Sequence, residues 1–428
     1  MPSTSEDSAS PRYLDQLPSD GWSGIGDLLS LATERLSVPV EGIQDSITDR
    51  WFSLAGSRGT SIRRALGAYT GGIYGSIRAA GSVVGGVIDL GAVLGNRRLG
   101  PLWSSPAGNG IQGVANAVWG DELARRRNGL RIELGLRDSE GQPIGRNPVD
   151  LQRAYPNPRR RLLILIHGLG ETERCWRSET DEAEDGDSIG ELLAGDSFTP
   201  LTVRYNTGIH IFENGASLAG LLEQVVSDWP REVEEVALVG SSMGGLVARS
   251  SVVAGRSARQ HWSEVVKHVV TVGSPHLGSP LEKVANLVSW GLRKTPESRP
   301  LSGFLNNRSV GIKDLRYGAI RPDDWGERDL DAVLGDTVGD TGALEGVQEH
   351  FIAGVITSEP GHPMGALLGD LVVRVGSGIG RGRRRRIEAK DVRVIGRRRH
   401  FDLMSDPQVH EQVREWLGVP GRQLEAVR

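Results

Sequence analysis

The chain has 428 residues, 38% of them hydrophobic and 24% charged, with a formal net charge of −4. That length holds one large α/β domain with additions or two domains, and the composition is that of a globular protein. The mild acidity argues against a nucleic-acid partner, and the single cysteine, Cys175, excludes an internal disulfide framework and a cysteine-rich zinc site.

Residues 1–20 are polar and rich in Ser, Pro and Asp, with no basic-then-apolar pattern. They are expected to form a disordered tail rather than a secretory signal. No stretch is a clear membrane span, so a cytoplasmic protein is expected. Residues 22–54 carry two amphipathic helical patterns broken near Pro39. Over 67–95, Ile73, Ile77, Ala80, Val84, Val87, Gly91 and Leu94 form one apolar helical stripe, with Gly71/Gly75, Gly81/Gly85 and Gly91/Gly95 at G-x-x-x-G spacing. Each glycine within a helix costs ~1 kcal/mol against alanine, so this segment is suited to close packing on a partner, either the main domain or a lipid surface. Residues 21–129 are thus predicted to be a helical, Gly-rich N-terminal extension.

Residues 130–428 are predicted to form an α/β domain. Residues 130–137 alternate like a strand, and 162–166 (LLILI) are a continuous apolar run of the kind found in buried parallel strands. Strand and helix then alternate: strands at 201–205, 236–239 and 269–272, with helices at about 215–229 and after Ser242. That order means a parallel sheet with crossover helices. Residues about 280–346 interrupt it and are expected to be a lid-like insertion. Strand character resumes at 350–356, with further candidates at 371–375 and 392–395, and 407–417 reads as a final amphipathic helix in which His410 is expected to face solvent.

Between the strand at 236–239 and its helix lies Gly240-Ser241-Ser242-Met243-Gly244. A G-x-S-x-G at a strand-to-helix turn lets the backbone bend hard enough to lift a serine above the sheet, so Ser242 is the candidate nucleophile. Such a serine needs a histidine base and an acid, following it in the order Ser, acid, His. His400 is the best placed of the seven later histidines, after the last strand candidate and before the final helix. Asp370 is the favoured acid, with Asp336, Asp340 and Asp391 as rivals. The oxyanion hole is expected to use the N–H of Met243, after the nucleophile, and of Leu169, in the glycine-flanked loop His167-Gly168-Leu169-Gly170. No motif for a metal or nucleotide cofactor is present, and none is expected.

These segments, with Gly273-Ser274-Pro275-His276-Leu277-Gly278-Ser279, resemble bacterial α/β-hydrolase lipases and esterases, and are most similar to the branch of GPI inositol-deacylase-like proteins. Residues 368–375 resemble the acid segment of that family and 400–404 its histidine segment, although the family often has Gly where this chain has Leu371. The resemblance implies an α/β-hydrolase fold over roughly 161–417, with Ser242, Asp370 and His400 as the triad. It also implies hydrolysis of a carboxylic ester through an acyl-serine, on a small-molecule ester or lipid. Arginines at 383–386 and 397–399 suit peripheral contact with an anionic membrane or lipid surface. The alternative is a non-catalytic lipid- or protein-binding scaffold on the same fold.

Overall fold

The computed structural model describes residues 105–177, 188–279, 308–324, 338–339, 342–359, 361–382 and 385–420. The expected tail, the Gly-rich stripe at 67–95 and most of the expected insertion at 280–346 lie outside these residues, as do Arg383 and Arg384.

A seven-stranded sheet runs in the order β1-β3-β2-β4-β5-β6-β7. Its strands are β1 (Gly135–Arg137), β2 (Arg161–Ile166), β3 (Thr199–Arg204), β4 (Glu235–Ser241), β5 (Val266–Val272), β6 (Gln348–Gly354) and β7 (Asp391–Ile395). β1 is antiparallel to β3 and every other pair is parallel. The main helices are α1 (Pro106–Arg125), α2 (Ile211–Asp228), α3 (Met243–Ser257) and α4 (Pro407–Trp416). This is the α/β-hydrolase fold expected from the motifs.

The run LLILI is continuous because both sheet faces are covered. Leu162, Ile164 and Ile166 point into one core with Leu218, Leu222, Leu246 and Val252 from α2 and α3. Leu163 and Leu165 point into the other, with Leu193, Phe198, Val409 and Val413. The period-2 alternation of a strand is therefore present in space but invisible in polarity.

Two expectations need correction. Residues 371–375 form no strand: the N–H groups of Val372 and Val373 donate to the Asp370 side chain at 3.0 and 2.7 Å, and a short helix, Val375–Gly378, follows. A carboxylate has taken the donors that a sheet ladder would need. His410 is buried rather than solvent-facing, with its Nε2 against the Met404 carbonyl at 2.5 Å, because α4 closes over the loop that precedes it.

α1 falls within the residues expected to belong to the N-terminal extension. Asn116 Nδ2 donates to the Leu130 carbonyl and Asn116 Oδ1 accepts from the Ile132 N–H, at 2.8 and 2.9 Å. An added Cβ at Gly113 would stand 2.6 Å from the Gly170 carbonyl oxygen, so α1 lies directly behind the His167–Gly170 loop. Among the described residues no helix is long and apolar enough to cross a membrane.

Two buried histidines make the fold acid-sensitive. His167 is held down to about 4, first by burial, and its Nε2 accepts the Tyr205 N–H at 3.2 Å, which requires the neutral ring. His350 is also held at about 4, by burial and by the neighbouring charge of His268 when that ring is protonated. Both folded values lie below the ordinary 6.5, so their stabilisation is complete above that pH and is lost as pH falls toward 4. Urea unfolding between pH 8 and pH 4 is expected to show stability dropping by a few kcal/mol, starting near 6.5. A flat profile would contradict it.

Candidate active site

Ser242 sits between β4 and α3 at φ 50°, ψ −119°, a backbone conformation rarely adopted by a residue with a side chain. The flanking glycines explain how it is reached. An added Cβ at Gly240 would stand 2.4 Å from the Gly244 carbonyl carbon, and one at Gly244 would stand 2.2 Å from the Ile166 carbonyl oxygen. β4, β2 and α3 therefore meet backbone to backbone at this turn. The Ser242 N–H donates to the Val272 carbonyl at 2.8 Å and fixes the turn to β5.

The structure brings Ser242, His400 and Asp370 together. His400 Nε2 lies 2.9 Å from Ser242 Oγ, and His400 Nδ1 lies 2.8 Å from Asp370 Oδ2. The carboxylate sets the ring tautomer: Nδ1–H donates to Asp370, leaving Nε2 to accept the serine proton. Asp370 is 1% exposed, and its Oδ1 takes the two N–H groups named above, so the whole carboxylate is committed. The His400 N–H also donates to the Asp370 carbonyl at 3.1 Å, tying the two loops at the ends of β6 and β7. Burial works against charge on His400, but Asp370 outweighs it and the net shift is upward.

Leu371 takes φ 80°, the left-handed region that a glycine would favour. The turn after Asp370 thus survives with Leu371 in place of the glycine common in the resembling family, at a cost of about 1–3 kcal/mol. The rival Asp391 is not at this site; its Oδ2 pairs with His350 Nδ1 at 3.0 Å at the start of β7. Asp336 and Asp340 lie outside the described residues.

Ser242 and His400 line a pocket with Gly168, Leu169, Glu171, Ser241, Phe401 and Met404. Leu169 stands on its wall, on the side of the Gly168 loop. Met243 is the first residue of α3, so its N–H has no acceptor within the helix and the helix dipole adds positive potential there. Among the described residues no cluster of His, Cys, Asp and Glu could hold a metal ion. Two wall residues escaped the sequence reading. Phe401 is 73% exposed beside His400. Glu171 opens a stretch of the sequence rich in acidic residues, 171–191, and its signal is its position, three residues after Gly168.

The family model described as a PGAP1-like alpha/beta domain matches residues 210–351. That span includes Ser242 and ends before Asp370 and His400. Together with the fold, it bears out the resemblance to α/β-hydrolase lipases and esterases drawn from the motifs. Among solved structures, the chain is similar to a Bacillus licheniformis lipase in its mature form, at 19% identity and TM-score 0.37, over 60% of this chain and 91% of that one. It is similar to a Pyrobaculum calidifontis esterase at 14% identity and TM-score 0.33, over 61% and 76%. A Staphylococcus hyicus lipase gives 12% identity and TM-score 0.33, over 61% and 95%. No curated protein matches the chain in sequence.

Proposed function

We propose that this protein is a serine hydrolase that cleaves carboxylic esters through an acyl-serine intermediate. The observation that carries this is the unbroken chain of hydrogen bonds Ser242–His400–Asp370 at the foot of a pocket. His400 takes the Ser242 proton as Oγ attacks the ester carbonyl, and Asp370 stabilises the imidazolium so formed. The N–H groups of Met243 and Leu169 hold the oxyanion. Collapse breaks the ester C–O bond and His400 returns the proton to the leaving alcohol. Water then repeats the sequence on the acyl-serine.

The domain division belongs to the same proposal: a tail at 1–20, an extension at 21–129 and a hydrolase domain at 130–428 carrying a lid-like insertion at about 280–346. So does a cytoplasmic enzyme that meets its ester or lipid at an anionic surface. Exposed Phe401 and Leu371 beside His400 and Asp370, with exposed Arg397 and Arg399 in the same loop as His400, support that contact. The hydrogen-bonded triad geometry favours an enzyme over a non-catalytic scaffold.

Hydrolysis of p-nitrophenyl esters of increasing acyl length tests the proposal. Turnover is expected, with the preferred length reporting the depth of the pocket. Activity requires neutral His400, whose pKa is raised, so kcat/KM is expected to fall on acidification with a midpoint above 6.5. Absence of turnover at every length would overturn the ester reading, and a midpoint well below 6.5 would contradict the Asp370 pairing.

A further inference from the structure

Glu171 stands on the pocket wall with Ser242 and His400 and has no part in the proton transfers above. Its Oε2 accepts the Gly168 N–H at 2.8 Å, while its own N–H donates to the Gly168 carbonyl at 3.3 Å. Side chain and backbone together close a four-residue turn around Leu169. An added Cβ at Gly168 would meet Glu171 Oε2 at 2.8 Å and Ser242 Cβ at 3.1 Å, so carboxyl and nucleophile face the same side of the loop.

The flanks of this turn are fixed independently. Behind it, α1 leaves no room for a Cβ at Gly113 against the carbonyls of Gly170 and Glu171. Beyond it, Glu173 is buried in an ion pair with Arg204, Nε to Oε2 at 2.6 Å. Within it, the Gly168 carbonyl lies 2.9 Å from His167 Nδ1 and the Gly170 N–H donates to Thr207 Oγ1 at 3.3 Å, while the Glu171 carboxyl is the tie on the Gly168 N–H, where the turn begins.

Resting on the serine-hydrolase reading above, we propose that Glu171 is the positioning residue of the oxyanion loop. By accepting the Gly168 N–H, its carboxyl oxygen fixes the His167–Gly168 peptide, and with it the start of the turn from which the Leu169 N–H is directed toward the oxyanion. The role needs an acceptor oxygen, not a negative charge, which would oppose the oxyanion. Burial raises the Glu171 pKa against the lowering effects of the Gly168 hydrogen bond, His400 and the Cys175 thiol.

Glu171→Gln keeps the acceptor and the shape; Glu171→Leu keeps the shape alone, and Glu171→Ala is a second variant without the acceptor. Each is assayed on a matched pair of esters, one with C=O and one with C=S at the scissile carbon. Sulfur is the poorer hydrogen-bond acceptor, so the oxo-over-thiono preference reports the oxyanion donors. Losing the acceptor is expected to lower kcat on the oxoester ~100-fold, with KM little changed, and to cut the preference ~10-fold. The Gln variant is expected to stay within about threefold of wild type on both measures.

Three results would overturn the proposal: wild-type kcat and preference in the Leu and Ala variants, loss of kcat with the preference unchanged, or a Gln variant as damaged as the Leu one. Failure of the underlying hydrolase reading looks different. There, wild type itself shows no turnover and no fluorophosphonate adduct at Ser242.

Discussion

Ser242→Ala is expected to lower kcat for ester hydrolysis by about 10⁵–10⁶ while leaving the fold intact. The side chain removed is a single hydroxyl at a half-buried position, hydrogen-bonded to His400 Nε2 at 2.9 Å. No packing volume is lost, and an alanine Cβ fits wherever a serine Cβ fits. Ser242 already carries a strained φ of 50°, which alanine inherits unchanged. What remains is the oxyanion donors and substrate binding, which in such sites still leave some 10³–10⁴-fold acceleration over water. Kinetics on the preferred p-nitrophenyl ester, alongside urea unfolding of both proteins, check this. A loss in kcat at unchanged stability is the expected pair; substantial residual turnover would mean that another residue is the nucleophile.

The second large effect falls on stability. Gly244→Ala is expected to destabilise the protein by more than about 3 kcal/mol, although it adds only a methyl group. The added Cβ would stand 2.2 Å from the Ile166 carbonyl oxygen and 2.5 Å from that of His167. Both are backbone atoms of β2 and the loop that follows, so no rotamer change relieves the contact. Either α3 backs away from β2 or the His167–Gly170 loop shifts. Gly220→Ala is the control, since the added Cβ meets nothing within 4 Å and alanine favours the helix. Urea unfolding should show a sharply lower midpoint for Gly244→Ala and an equal or higher one for Gly220→Ala. Similar midpoints for the two would show that the turn is not packed as described.

The elbow was legible because its requirement is steric and local. Gly240 and Gly244 stand two residues either side of Ser242, in a pattern that admits few other uses. The parallel strands were legible from their continuous apolar character, which both cores require. The order of Ser242, Asp370 and His400 followed from the path of the chain along a sheet of this kind. Residues 371–375 misled because Val372, Val373 and Val375 favour strands by composition, while their backbone donors were captured by Asp370. His410 misled because a helix wheel cannot show the loop that α4 covers.

The buried ion pairs were the least readable. Arg249 Nε donates to Glu349 at 2.6 Å across 100 residues of chain, and Arg204 to Glu173 across 31. In sequence each of these four residues looks like a surface charge. Glu171 was hidden for the same reason: its role depends on a turn folding back on itself, and nothing in an acidic run announces that.

Labelling wild-type protein and His400→Ala with a fluorophosphonate probe, followed by peptide mass spectrometry, tests the central claim most directly. Wild type is predicted to carry one adduct, on Ser242, formed within minutes, and His400→Ala to carry essentially none over the same time. No adduct on wild type, an adduct on another residue, or equal labelling of the variant would contradict a nucleophile at Ser242 activated by His400.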